Sequence, residues 1–382
     1  MIMKSLKYTV SVLGASSLML MGGMACHNQG EDSQLSVTQV KHTEVKQQSI
    51  GNCWLYAMAS WMESLKLNQE EELNVSETYW TYWDWYIKLK RGGGADEIST
   101  GGTWRMAVNI INQYGWVSEE EFVSSEGDQI YSSRQKCAED RINRELKEGG
   151  RLFEVERDHD TLISVLNDAF TCNDEIKVDG EAVYQTLAKS SNDTQLVLPG
   201  SENVMSMRQM MRSWRTVQNP YRYSPNSAKK LPSTRTMASF KSMEQRIKKA
   251  LNDHMPVVLG LYVSFNAVDA EGKFNLNSLA KKGSLGSGGG HMIVMHDYTV
   301  SNVPELDYLG EGDMDPELKE AALLGDLDYI VSKNSWGANR LDRPWIKNGY
   351  SRVDWDYLTK AYVDDEGDFR SFMYDIVLPP GY

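Results

Sequence analysis

The sequence predicts an α+β chain with a helical N-terminal lobe and a β-rich C-terminal lobe. Three observations predict it. Apolar residues recur at helical spacing through Cys53–Leu67 and again through Trp104–Tyr114. From Pro256 onward the pattern changes to short apolar runs, at 256–263 (PVVLGLYV), 291–298 and 329–332, with the length and composition of buried strands. The chain has 382 residues, 41% of them hydrophobic, and no evident internal repeat. That is enough for one large domain, or for two lobes with real cores.

The first residues read as a targeting segment. Lys4 and Lys7 give a positive start, 8–21 is apolar, and the small residues Gly22, Gly23 and Ala25 lead to Cys26. A cysteine directly after such a stretch resembles the lipobox of bacterial lipoproteins, with Gly23 where leucine is usual. The resemblance implies a signal peptide at 1–25, a lipidated Cys26 and a lipid anchor in the bacterial cell envelope. His27, in place of aspartate, favours the outer membrane if the host is Gram-negative. An ordinary secretory signal and an uncleaved anchor are the alternatives. The apolar stretch is short for a spanning helix. Residues 26–40 are polar and read as a tether, so the folded domain is expected at 41–382. The net charge of −13 argues against nonspecific binding to nucleic acid or to anionic lipid headgroups.

In the helical part, Gly51 and Asn52 form a turn that feeds the helix beginning at Cys53. The run at 76–86 (SETYWTYWDWY) reads as a packed helix face rather than a ligand-stacking surface. Gly101, Gly102 and Thr103 precede the Trp104 helix, which Gly115 stops. The stretch 118–251 carries no chemical motif. Pro and Ser punctuation at 219–233 marks a loop, and 242–254 reads as a helix with Met243, Ile247 and Leu251 in register. Glycines at 286 and 288–290 suggest a flexible turn before the strand that begins at His291.

Four residues carry the chemistry. Cys53 stands at a helix N-terminus, where the helix field and an imidazolium from elsewhere would lower its pKa and favour thiolate. Gln47, six residues earlier, is placed to donate its side-chain amide to a developing oxyanion beside the Cys53 N–H. His291 opens a strand, an accessible place for a base that takes the thiol proton and returns it to a leaving amine. His296, five residues on, would point to the opposite face and reads as structural. Asn334, in the run at 333–337 (KNSWG), would orient His291, and Trp336 would shield that hydrogen bond from water. A turn asparagine is the alternative for Asn334, and an inert buried thiol is the alternative for Cys53.

In this order, QQSIGNCW, GGHMIVMHDY and KNSWG resemble the three signature regions of the papain-like cysteine peptidases. The resemblance covers about 41–122 and 242–382. CWLYA, YWTYWDWY and GGTWRMAVNIINQYGWVSEEEF are similar to the bleomycin hydrolase branch. The resemblance implies a two-lobed fold with the site between the lobes. It also implies a peptide or protein substrate, no metal and no organic cofactor. By the same resemblance Gln47 would serve the oxyanion hole, Cys53 would be the nucleophile, His291 base and acid, and Asn334 the orienting residue. Gly101 and Gly102 would pair with an extended substrate.

Some features depart from that family. His291 lies 238 residues after Cys53 (291 − 53), where about 130–150 is usual, which implies an insertion within 123–241. Ile50 stands where many relatives have a cysteine. If Cys26 carries lipid and Cys53 is the nucleophile, Cys137 and Cys172 remain; export would permit their disulfide, and two unrelated thiols are the alternative. The sequence given ends near where the bleomycin hydrolase C-terminal arm would begin. The expectation is an endopeptidase acting through a Cys53 thioester. An aminopeptidase of the bleomycin hydrolase type, and a non-catalytic peptide-binding protein on the same scaffold, are the alternatives.

Overall fold

The computed structural model describes residues 40–382, apart from 95, 154–156, 174–176, 200–201, 222–233, 313 and 364–368. The chain divides into Met1–Ser36 and Val37–Tyr382, and all described residues belong to the second unit. The signal segment and the lipidation candidate Cys26 lie outside the described residues, as does most of the loop read at 219–233. Among the described residues no helix is long and apolar enough to cross a membrane.

Helix Cys53–Leu67 is apolar on every side and buried on every side, as a core helix must be. Its N-cap residue, Asn52, does not cap: the side-chain amide donates to Thr81 Oγ1 (3.0 Å) and Gln135 Oε1 (2.9 Å). Helix Glu77–Lys90 is capped by Ser76, which accepts from the Tyr79 N–H. Its aromatic run is core: Tyr79, Trp80, Tyr82 and Trp85 are fully buried, and Trp83 stacks on Tyr114 at 3.8 Å. Two of their polar ends are satisfied where the helix Trp104–Tyr114 stops, with Tyr79 OH donating to Tyr114 O and Trp80 Nε1 to Gly115 O. Gly115 adopts φ 73°, and a Cβ there would come within 2.0 Å of Ala188 O, so only glycine fits this stop.

The stretch 123–241 is built into the same body. Helices Ser133–Glu145 and His159–Thr171 pack together and are joined by the Cys137–Cys172 disulfide (Cα–Cα 6.2 Å). Phe170 lies against Tyr82 and Trp85. Strand Arg215–Gln218 pairs antiparallel with the C-terminal strand Met373–Leu378. Helix Thr234–Asn252 begins well before the 242–254 expected from its apolar register.

The β-rich part is one sheet in the order Arg215–Gln218, Met373–Leu378, Val257–Ser264, Gly288–Val303, Asp326–Lys333, Tyr350–Asp354, Lys273–Phe274. An eighth strand, Asp307–Leu309, folds back on Gly288–Val303. Only the last pair in that order is parallel. The glycines at 288–290 are not the expected flexible turn: they pair with Ser264, Val263 and Tyr262, so His291 sits inside the strand rather than at its mouth. The acidic stretch 304–327 holds helix Pro316–Leu324, capped by Asp315. The helical N-terminal part and the β-rich C-terminal part share one continuous apolar core, as the expected two lobes of one domain.

A buried ion cluster ties these parts together. The Glu63 carboxylate accepts from Thr43 Oγ1 (2.5 Å) and the Val75 N–H (3.0 Å). Lys46 stands 3.3 Å from one of its oxygens and Lys333 3.8 Å from the other. Burial pushes the Glu63 carboxyl up, but Lys46, Lys333 and these hydrogen bonds together hold it below the usual range. Lys46 has a second carboxylate in Glu77 (2.9 Å), whereas among the described residues Lys333 has only Thr43 Oγ1 (2.8 Å) besides Glu63. Glu63→Gln should therefore cost about 3–5 kcal/mol in urea unfolding, mostly by stranding Lys333. Adding Lys333→Met should recover more than half of it. A double variant as unstable as the single one would show that Lys333 is not what Glu63 compensates.

Candidate active site

Cys53 is the first residue of its helix, and the uncapped end leaves backbone N–H groups free to point at it. The thiol is a free cysteine, buried at 8% exposure. The backbone N–H groups of Met292, Trp54 and Cys53 itself lie near enough to favour its thiolate. The Met292 contact brings the thiol against the residue next to His291. The helix and the strand that carry these groups are thus joined at the site itself.

His291 is buried, with Nε2 at 2.7 Å from Asn334 Oδ1. Its ring stacks on Trp336 at 4.6 Å, with planes 23° apart. Asn334 is held in turn: its Nδ2 donates to Ser351 Oγ (2.8 Å), and its Oδ1 also accepts the Ser335 N–H (2.7 Å). Because Oδ1 can only accept, Nε2 carries the imidazole proton and Nδ1 is left as the basic nitrogen. His296 lies elsewhere, with His42 (5.3 Å) and Tyr350 (4.6 Å) as ring neighbours.

Gln47 bridges two segments: its backbone pairs with Trp336 on one side and Tyr131 on the other, and its N–H donates to Ile130 O (2.6 Å). Its side chain lies against Gly337, where a Cβ would meet Gln47 Oε1 at 2.6 Å. Gln48 is spent structurally, donating to Ile50 O and accepting from Ser335 Oγ. Among the described residues the Gln47 side-chain amide has no hydrogen-bond partner, so of the two glutamines it is the one free to donate to a substrate.

Gly102 packs flat on the Trp54 ring, where a Cβ would come within 2.3 Å. Gly101 is exposed, and a Cβ there would meet nothing within 4 Å. The loop is fixed by Trp54 Nε1 donating to Thr100 O (2.9 Å) and by Lys88 Nζ reaching Ser99 O and Gly101 O. Lys88 is itself paired with Asp84 at 2.6 Å. Its role had no motif; the only hint was the Asp84 to Lys88 spacing on one helix face. Ile130 and Tyr131, which flank Gln47, and Arg343, which covers Trp336, were also not singled out from sequence. Among the described residues no group of His, Cys, Asp and Glu is arranged to hold a metal.

The electrostatics differ from the sequence expectation. Burial outweighs the backbone hydrogen bonds and pushes the Cys53 thiol up to about 11. Burial likewise lowers His291 to about 4, with Asn334 opposing and Arg343 adding to the shift. Taken singly, the thiol and the imidazole each favour the neutral form. Alkylation of Cys53 by iodoacetamide should be slow at pH 7 and climb about tenfold per pH unit toward pH 11. A rate that is flat between about pH 5 and 8 would show a preformed ion pair instead.

No family model and no curated protein matches this chain. Solved structures do. PepW from Lactobacillus rhamnosis HN001 matches 91% of this chain and 82% of its own, at 12% identity and a TM-score of 0.46. Xylellain, a cysteine protease from Xylella fastidiosa, matches 91% of this chain and 86% of its own, at 14% identity and a TM-score of 0.42. Digestive procathepsin L 3 of Tenebrio molitor larval midgut matches 92% of this chain and 71% of its own, at 13% identity and a TM-score of 0.35.

Proposed function

We propose that this chain is a papain-like cysteine peptidase of the bleomycin hydrolase-like branch, cutting internal peptide bonds. One observation supports the chemistry above all. The Cys53 thiol sits at a helix N-terminus against the backbone next to His291, whose Nε2 is held by Asn334 at 2.7 Å. Cys53 Sγ attacks the scissile carbonyl carbon as His291 takes the thiol proton. The oxyanion draws on the Cys53 N–H and the Gln47 amide. The C–N bond then breaks, and His291 passes the proton to the departing amine. Water, deprotonated by His291, cleaves the thioester to a carboxylic acid and restores the thiol.

Internal cutting is supported by space. Gly101 leaves the glycine side of the site open for more chain. Mass spectrometry of a peptide mixture digested by the purified protein should show internal cuts that vanish with Cys53→Ala. Stepwise trimming from the amino end would point to the aminopeptidase alternative. No Cys53-dependent cut would favour the binding alternative.

The location is part of the proposal. The lipobox-like segment before Cys26 supports a lipid tether, and the Cys137–Cys172 bond fits an oxidising compartment. In a bacterial host, labelled fatty acid should enter the wild-type chain and not Cys26→Ser. Equal labelling of both would exclude a lipid on Cys26.

A further inference from the structure

We infer that Arg343 is a specificity residue that receives a carboxylate on the leaving-group side of the scissile bond. The inference rests on the peptidase reading above. The departing nitrogen must take its proton from His291, so the chain that leaves runs along the imidazole and not along the Trp54 and glycine side. Beside the imidazole lies Trp336, stacked on it at 4.6 Å. On Trp336 lies Arg343, its guanidinium carbon 4.9 Å from that ring and 4.9 Å from the ring of Phe265. Trp345 meets Trp336 edge-on at 6.1 Å and backs the same aromatic floor.

This guanidinium is fixed but unspent. Two aromatic faces hold it in place. The nearest carboxylate, Asp342, is 3.8 Å from its Nε, beyond hydrogen-bond reach. Asp342 is already taken by Arg340, through paired contacts of 2.8 and 2.6 Å. Among the described residues no acceptor meets the side-chain N–H groups of Arg343. The side chain is 27% exposed, so a ligand can reach it. Burial and the neighbouring Arg340 both disfavour its charge, while Asp342 offsets them only in part. A planar fork of N–H donors in that state fits a carboxylate, which accepts two of them at once. A cation that merely roofs Trp336 would shield the His291–Asn334 bond equally well with no ligand, so the test must read substrate charge.

Two sources of carboxylate fit: an Asp or Glu side chain in the first two residues after the cut, or the α-carboxylate of a chain that ends there. The test compares kcat/KM within each enzyme, which cancels any general loss of activity. In one arm, amidated peptides carry Glu or Gln just after the bond. In the other, neutral peptides end two residues after the bond as free acid or as amide. The wild-type full chain should favour the acid by about tenfold in at least one arm, and less at high salt. Arg343→Gln should bring that ratio close to one, and Arg343→Lys should keep part of it. Preference in the first arm alone assigns side chains, and in the second alone, chain ends. Wild-type ratios near one in both arms, or a preference unchanged in Arg343→Gln, would overturn the inference while leaving the peptidase intact. Failure to cut any peptide would overturn both.

Discussion

The buried carboxylate of Glu63 is the contact on which the site's geometry depends. It joins Lys46, the residue before Gln47, to Lys333, the residue before Asn334, from within the helix that Cys53 begins. Three of the four catalytic candidates thus hang from one desolvated charge cluster, although they are spread across the whole chain. Ions removed from water gain little net stability, but they tolerate few alternative arrangements. A cluster that fixes position more than it adds stability suits a site whose parts come from three separate segments.

The same enclosure sets the resting chemistry. An uncapped helix end aims N–H groups at the thiol, and an imidazolium would stabilise a thiolate further. At Cys53 burial outweighs the backbone N–H groups, and at His291 it outweighs the hydrogen bond to Asn334. Nδ1 remains free because Asn334 claims Nε2. The enclosure thus favours a neutral thiol and a neutral imidazole when each is taken singly.

Much of this was legible in the sequence. The helices at Cys53–Leu67 and Trp104–Tyr114 follow from apolar spacing, with Gly115 stopping the second, and the 76–86 run is core because its aromatics recur on one helix. The six-residue offset separates Gln47 from Gln48, and the structure gives a physical reason: Gln48 is already hydrogen-bonded. What was illegible depends on long-range pairing. Glycines at 288–290 resemble a loop until Val257–Ser264 supplies their strand partner. The low His291 and high Cys53 values follow from burial, which no local motif encodes. Arg343 sits in a polar turn (Arg340, Asp342, Arg343), and nothing in that spacing announces two aromatic rings beneath it.

The stretch 123–241, which carries no motif, bears on catalysis through support. Gln135 accepts from Asn52, keeping that side chain away from the helix end it would otherwise cap. Gln135 donates in turn to Thr78 Oγ1 at 3.0 Å, so the helix Glu77–Lys90 fixes it. From the same stretch, Ile130 O receives the Gln47 N–H, and Tyr131 pairs with Gln47 along the backbone. The segments that carry Cys53 and Gln47 are therefore both braced from behind by one stretch of chain. The Cys137–Cys172 bond closes that segment's helix pair two residues beyond Gln135. Length that looks like an interruption between Cys53 and His291 thus includes, in the folded chain, the support for the segments that carry Cys53 and Gln47.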